Sequence, residues 1–182
     1  MAPIERGSAE WLARRDVHML EQATEIAVNG WTMVGVFPTE EDAKDRNFHF
    51  CYTIGRSLEG HAELIVTGMS HNAGPLLGFL IDTWGQVDEQ TPGVPFEVRS
   101  GANDGWLVLA PVPDGWRDEL MTMTRAQVGE GFTALQVLWT DDEERWPWEP
   151  GHARMQRMAV EGDTMPVLAG NDWRPEGKRV AW

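Results

Sequence analysis

Two short runs of strand-forming residues, separated by one turn, constrain the fold of this chain more than any other feature. The first, Phe48–Ile54, alternates aromatic and aliphatic side chains with His, Cys and Thr, as expected of a strand between two weakly polar faces. The second contains Leu64-Ile65-Val66, a continuous apolar run typical of a central strand that is buried on both sides. The turn between them carries Gly60, His61 and Glu63, so core architecture and candidate chemistry lie close together.

Hydrophobic periodicity predicts further strands and helices around this pair. The predicted strands are Trp31–Phe37, Val94–Val98, Trp106–Val112 and Phe132–Trp139. The predicted helices are Ser8–Asn29, ended by a left-handed cap at Gly30, a stretch from Leu76 to Trp84, and Arg117–Val128 with a start at Pro113-Asp114. We therefore expect an α+β domain with a single mixed, mainly antiparallel sheet of about six strands, two or three packed helices and an irregular C-terminal arm.

The first helix is amphipathic, because its apolar positions recur at steps of three and four residues. These positions are Leu12, Met19, Leu20, Ala23 and Ala27. The C-terminal region differs from the rest of the chain: after Thr140 the periodicity stops and Trp, Pro and Gly dominate. We divide the chain into an N-terminal helix at 1–29, a core domain at 30–150 and a Trp- and Pro-rich arm at 151–182.

Charge and composition exclude several classes of partner. The 182 residues carry a net charge of −14, which repels nucleic acid and anionic lipid surfaces, so we expect neither as a partner. No Lys or Arg occurs between Ser57 and Val98; this acidic segment is either a solvated face, a surface for a basic partner or a mimic of nucleic acid. No apolar run approaches the roughly 18 residues of a membrane span. The lone Cys51 excludes an internal disulfide, and we expect a cytoplasmic protein.

Several motifs, in this order, resemble an uncharacterised bacterial and phage family, domain of unknown function 4262. They are Gly30-Trp31, Tyr52-Thr53-Ile54-Gly55, Gly60 to Gly68, Leu135 to Trp139, and Asp141 with Trp146-Pro147-Trp148. The resemblance covers about residues 30 to 150 and implies a domain boundary, but no reaction. If the gene is carried by a phage, the host cytoplasm or the virion is the expected location. Ala62 stands where the family usually has Pro, and Arg56 where it usually has Leu.

His61 and Glu63 are the strongest catalytic candidates, because a His and a carboxylate two residues apart in an extended segment point the same way. A metal site would need a third ligand from His49, His71 or Asp141. The alternative is a structural turn in which the His caps backbone groups and the Glu is solvated. We predict no cofactor and no metal.

Other polar residues are candidates for ligand binding. Tyr52 and Thr53 end a strand where backbone amides and hydroxyls can hold a small molecule. Gln136 lies in an otherwise apolar strand and needs a partner, either a neighbouring loop or a pocket. Asp141 follows that strand. Cys51 shares a strand face with His49, but its aromatic neighbours favour a buried core thiol over a nucleophile.

Two functions remain open from the sequence. The first is a non-enzymatic module that binds a protein partner or another copy of itself through its terminal helix and its arm, with Trp146, Trp148, Trp173 and Trp182 as contact residues. The second is a small-ligand-binding or hydrolytic enzyme with a site around Tyr52, His61, Glu63 and Gln136. Alternatively, the Trp residues wrap their own domain.

Overall fold

The computed structural model describes residues 7–37, 50–67, 78, 90–98, 105–141, 143–152, 168–169 and 173–176. These residues form one sheet with strands β1 (Thr32–Val36), β2 (Phe50–Ile54), β3 (Glu63–Thr67), β4 (Phe96–Val98), β5 (Gly105–Pro111) and β6 (Ala134–Trp139). The strand order is β1-β2-β3-β6-β5-β4, with β3 and β6 parallel and the other neighbouring pairs antiparallel. The predicted α+β class and mixed, mainly antiparallel sheet are therefore confirmed.

The centre of the sheet is buried on both faces, as the apolar run in β3 predicts. Every residue of β3 is buried. Ile65 packs on one face with Tyr52 of β2, while Leu64 and Val66 belong to a separate cluster on the other face. Alternate residues of the strand thus supply two different hydrophobic cores.

Helix α1 (Ala9–Asn29) has the predicted bounds. The Ser8 hydroxyl accepts a hydrogen bond from the Trp11 amide at its start, and Gly30 adopts the left-handed conformation with a φ of 82° at its end. Only Trp31 separates this cap from β1, so the rotation of the helix about its axis is set by a very short connection.

The inward face of α1 differs from the apolar stripe that its spacing indicates. Met19, Gln22 and Ile26 face the domain, and Gln22 is only 2% exposed. Leu20 is exposed, as are Ala23 and Ala27. The reason is that α1 is fixed through its C-terminal half, where the Gln127 amide donates to the Met19 carbonyl oxygen at 2.6 Å.

The predicted helix after Pro113 is two helices, α2 (Asp114–Leu120) and α3 (Thr122–Val128). Met121 breaks it with φ −100° and ψ 48°, and its side chain is fully buried in the core. The break lets Leu120 and Met121 both reach the core beside Tyr52. The single continuous helix was therefore wrong, although its overall bounds were close.

Some predictions fall on residues outside the description, namely most of the C-terminal arm and the helix from Leu76 to Trp84 apart from Gly78, which is helical. The antiparallel pairing predicted for β4 with β5 is confirmed by the register of Val98 opposite Gly105. Within the described part of the chain, no helix is both long and apolar enough to cross a membrane.

Candidate functional site

The turn from Gly55 to Ala62, which we call the β2–β3 turn, contains a short 3-10 helix at Arg56–Glu59 bounded by two left-handed glycines. Gly55 has a φ of 110° and lies against the end of α1: a Cβ at this position would be 2.8 Å from the Gly30 carbonyl oxygen. Only glycine satisfies both the backbone conformation and this close approach. The turn and the C-terminal cap of α1 are therefore packed directly on each other.

Glu63, the first residue of β3, is fully buried, and its carboxylate lies at the centre of this turn. Its Oε1 accepts hydrogen bonds from the amides of Gly55 and Ser57, each at 3.0 Å, and from the Ser57 hydroxyl at 2.8 Å. Its Oε2 accepts from the Thr53 hydroxyl at 2.6 Å. A buried carboxylate needs such donors to offset its loss of hydration, and here the donors all belong to the turn or to β2. The alternative of a solvated Glu63 is therefore wrong, because its carboxylate is buried and accepts hydrogen bonds from around the turn.

Thr53 and Tyr52 connect the same turn to the helices. The Thr53 hydroxyl accepts from the Leu64 amide at 2.8 Å, and the Thr53 carbonyl oxygen accepts from the Thr124 hydroxyl at 3.0 Å. The Tyr52 hydroxyl lies 3.4 Å from the Met123 amide that donates to it. Burial raises the pKa of Tyr52 to about 12, so its phenol is protonated at neutral pH. Both side chains are thus placed at the β2–α3 contact.

His61 stands at the end of the turn and is half-buried. Its backbone amide donates to the Arg56 carbonyl oxygen at 3.2 Å. Arg56 is itself buried, and its guanidinium Nε donates to the Ala62 carbonyl oxygen at 3.0 Å. Arg56 and Ala62 are therefore hydrogen-bonded to each other across the turn.

Gln136 is placed differently from the other candidates. It pairs with Ile65 in the β3–β6 register, and its amide nitrogen donates to the Thr67 hydroxyl at 3.0 Å. Its side-chain oxygen accepts from the Leu168 amide at 2.8 Å. Glu63 and Thr67 begin and end β3, about 13 Å apart at the usual rise per residue. The Gln136 amide therefore lies toward the opposite end of β3 from the Glu63 carboxylate.

Asp141 forms a local turn after β6. Its carboxylate accepts from the amides of Glu143 and Arg145 at 3.0 and 2.9 Å and forms an ion pair with the Arg145 side chain at 2.9 Å.

Two of the predicted metal ligands, His49 and His71, lie outside the described residues. Within the described ranges, no three His, Cys, Asp or Glu side chains are grouped closely enough to hold a metal ion. The roles predicted for His61, Glu63, Tyr52, Thr53, Gln136 and Asp141 in catalysis or ligand binding stay predictions.

The Trp residues of the C-terminal region contact one another. The rings of Trp146 and Trp148 stack with centroids 5.4 Å apart, and Trp173 meets Trp148 edge-on at 5.9 Å. The Arg174 guanidinium lies over the Trp148 ring at 5.3 Å. Trp146 is buried with Val108 and Leu138 of the sheet. The described part of the arm thus packs on its own domain; Trp182 lies outside the described residues, and partner binding by these Trp residues stays a prediction.

Cys51 is buried in the sheet, and burial raises the pKa of its thiol to about 11. A thiol with this pKa is almost entirely protonated at neutral pH and is a poor nucleophile. This agrees with the core position predicted from its aromatic neighbours.

Sequence reasoning missed one surface. The outward side of α1 carries apolar residues at helical spacing, and Val17 and Leu20 are 59% and 70% exposed. The signal was present in the sequence, since Ala13, Val17 and Leu20 follow one another at steps of four and three. Spacing alone places Leu20 in one stripe with Met19, because it does not show which side of a helix faces the domain.

The chain belongs to the family described as domain of unknown function (DUF4262), whose model matches residues 25–153. The match begins in the last turns of α1 and extends through the sheet, the β2–β3 turn, α2, α3 and the stacked Trp146 and Trp148. No curated protein and no solved structure matches the chain significantly. Most of α1, including its exposed Val17 and Leu20, precedes the matched region.

Proposed function

We propose that this member of the DUF4262 family is a non-enzymatic interaction module that binds a protein partner through the outward side of α1. The observation that carries the proposal is the exposure of Val17 and Leu20, at 59% and 70%, on a helix whose other side is fixed to the domain. Exposed aliphatic side chains grouped on one surface are typical of protein-binding sites. The proposal places the protein in the cytoplasm, with the virion as the alternative if a phage carries the gene, and the single buried Cys51 supports this location.

The contacts of the polar candidates support an interaction module over an enzyme. Both oxygens of Glu63 accept hydrogen bonds from within the domain, and the Gln136 amide bonds Thr67 and Leu168. A general base must lie within reach of its substrate, and Glu63 is fully buried. These groups serve instead to hold the turn and the arm in place.

The arm has a different role in this proposal from that of α1. Trp146 and Trp148 stack together on the sheet, and Trp173 and Arg174 contact the ring of Trp148. Aromatic side chains packed in this way stabilise the domain. We therefore assign the partner-binding surface to α1 and assign the described part of the arm to covering the sheet.

Photo-crosslinking tests the proposal directly. A photoreactive amino acid in place of Leu20 should give a discrete crosslinked product in an extract of the source cells, while the same amino acid in place of Leu58 should not. Leu58 is a matched control, because it is also an exposed leucine, at 61%, but lies in the β2–β3 turn. Equal labelling from both positions, or none from position 20, would refute binding through α1.

A further inference from the structure

We infer that the partner bound by α1 is a second copy of this chain, paired through α1 in antiparallel orientation; this inference rests on the function proposed above. The helix has two apolar sides. The inward side contains Met19 and Ile26, and roughly opposite to it, at 100° per residue, lies a second stripe that we call the outer stripe. Its members are Ala13, Val17, Leu20, Thr24 and Ala27.

The outer stripe has the spacing of a coiled-coil seam. Its residues alternate steps of four and three, so that Ala13, Leu20 and Ala27 take one core position of a heptad while Val17 and Thr24 take the other. All five are exposed in the single chain. A surface helix needs only one apolar side to pack on its own domain, so a second seam on the opposite side indicates a second packing partner.

Antiparallel pairing matches four of the five residues of this seam to one another, and the fifth, Ala27, faces Glu10 of the other copy. With the two-fold axis between positions 18 and 19, Val17 faces Leu20 of the other copy, and Ala13 faces Thr24 of the other copy. Large residues then meet at the centre and small ones towards the ends. The Thr24 hydroxyl already donates to the Leu20 carbonyl oxygen at 2.9 Å, so it needs no new partner when it is covered.

The charges beside the seam select this orientation. Arg14 and Glu21 flank the outer stripe on the same side, and antiparallel pairing brings Arg14 of each copy beside Glu21 of the other, giving two attractive contacts. In a parallel pair, Asp16 would lie beside Glu21 of the other copy, which is repulsive. The helix is therefore complementary to itself in charge only when the two copies run in opposite directions.

The position of the seam also leaves room for both domains. Because the inward and outer stripes lie on opposite sides of α1, the two domains fall on opposite sides of the helix pair. From Ala13 to Ala27 the seam is about 21 Å long at the usual rise per residue. A contact of this length and about one helix diameter wide, roughly 10 Å, covers far less than the about 800 Å² per partner of standard stable interfaces, so we expect a reversible dimer that forms with increasing concentration.

Sedimentation equilibrium of the full chain over a wide range of concentrations tests the inference. The wild-type protein should shift from monomer to dimer, and Arg14→Glu or Glu21→Arg alone should weaken dimerisation about tenfold or more, because two attractive contacts become repulsive. The double variant Arg14→Glu/Glu21→Arg should restore most of the affinity. Leu20→Glu should abolish the dimer, while the matched control Leu58→Glu should leave it unchanged; circular dichroism must show the same helix content in each variant.

The outcomes separate orientation, partner and function. In a parallel dimer, Glu21→Arg would strengthen association by placing Arg beside Asp16, and this result would overturn the antiparallel arrangement. As a second measurement, mixed samples of Val17→Cys and Leu20→Cys should form disulfide-linked heterodimers in preference to homodimers. A wild-type chain that stays monomeric at every concentration would overturn self-pairing; a crosslink from position 20 to a different protein would then still support the proposed function, and the absence of any crosslink would end both.

Discussion

Replacing Glu63 by Gln keeps the size of the side chain but removes its charge and one acceptor oxygen. In the native turn, Oε1 accepts three hydrogen bonds and Oε2 accepts one from Thr53. The less costly orientation of a Gln places its NH2 group toward Thr53 and its oxygen toward Gly55 and Ser57. The variant then loses one hydrogen bond to a charged acceptor and weakens three others.

The magnitude follows from these contacts. A hydrogen bond to a charged group contributes about 1.5–3 kcal/mol and a neutral one about 0.5–1.5 kcal/mol. The loss of one bond and the weakening of three are partly offset because the variant no longer buries a charge. We therefore expect Glu63→Gln to lower the free energy of unfolding by about 3 kcal/mol.

Urea denaturation followed by Trp fluorescence provides the measurement. Glu59→Gln is the matched control, because Glu59 lies in the same turn but is exposed, and its free energy of unfolding should change by less than about 0.5 kcal/mol. Thr53→Val removes the donor to Oε2, and the double variant with Glu63→Gln should show a coupling of about 1–2 kcal/mol. If Glu63→Gln were as stable as the Glu59→Gln control, the Glu63 carboxylate would not stabilise the turn as we describe.

Three further perturbations test other parts of the structure. Gln136→Leu should cost about 1–3 kcal/mol by leaving the buried Leu168 amide without its acceptor, and limited proteolysis should cut the C-terminal arm faster than in the wild type. Gly55→Ala should cost about 2–4 kcal/mol, because of its left-handed backbone and its contact with α1, whereas Gly60→Ala, with open space around it, should cost only about 1 kcal/mol in the same denaturation assay. Cys51 should resist a thiol reagent at pH 8 until the chain is unfolded. The pKa of the Cys51 thiol is about 11 in the folded protein and about 8.5 in the unfolded chain. The contribution of the thiol to the free energy of unfolding is therefore fully present below about pH 8.5 and is lost as the pH rises toward 11. Cys51→Ala should flatten the plot of the free energy of unfolding against pH over this range.

The strands were predictable because their signals are local. The apolar run in β3 and the alternation in β2 each depend on neighbouring residues, and both strands lie where these patterns place them. The parallel pairing of β3 with β6 was not predictable in the same way. It pairs Glu63 with Ala134, which is far away in the sequence, and the periodicity within one strand does not determine the register between two strands.

The candidate site was predictable in composition but not in geometry. The sequence indicates that Glu63, Thr53 and Gln136 need polar partners, and each has them. It does not indicate that Ser57 supplies two of the donors to Glu63, because an exposed serine in a turn has the same local pattern. Likewise, the two apolar sides of α1 are equally visible in the spacing, and only the contacts of Met19 and Ile26 with the domain decide which side faces outward.

The β2–β3 turn and the outer stripe of α1 are linked through one contact. Glu63 holds the amide of Gly55, and Gly55 packs against both the Gly30 carbonyl oxygen and the side chain of Ile26. Since only Gly30 and Trp31 connect α1 to β1, this contact fixes which side of the helix faces the domain. The turn residues that resemble catalytic candidates therefore determine the direction of the surface proposed for binding. A change in the turn should alter association only as far as it frees α1 to rotate, whereas a change in the outer stripe should alter association with the stability of the domain intact.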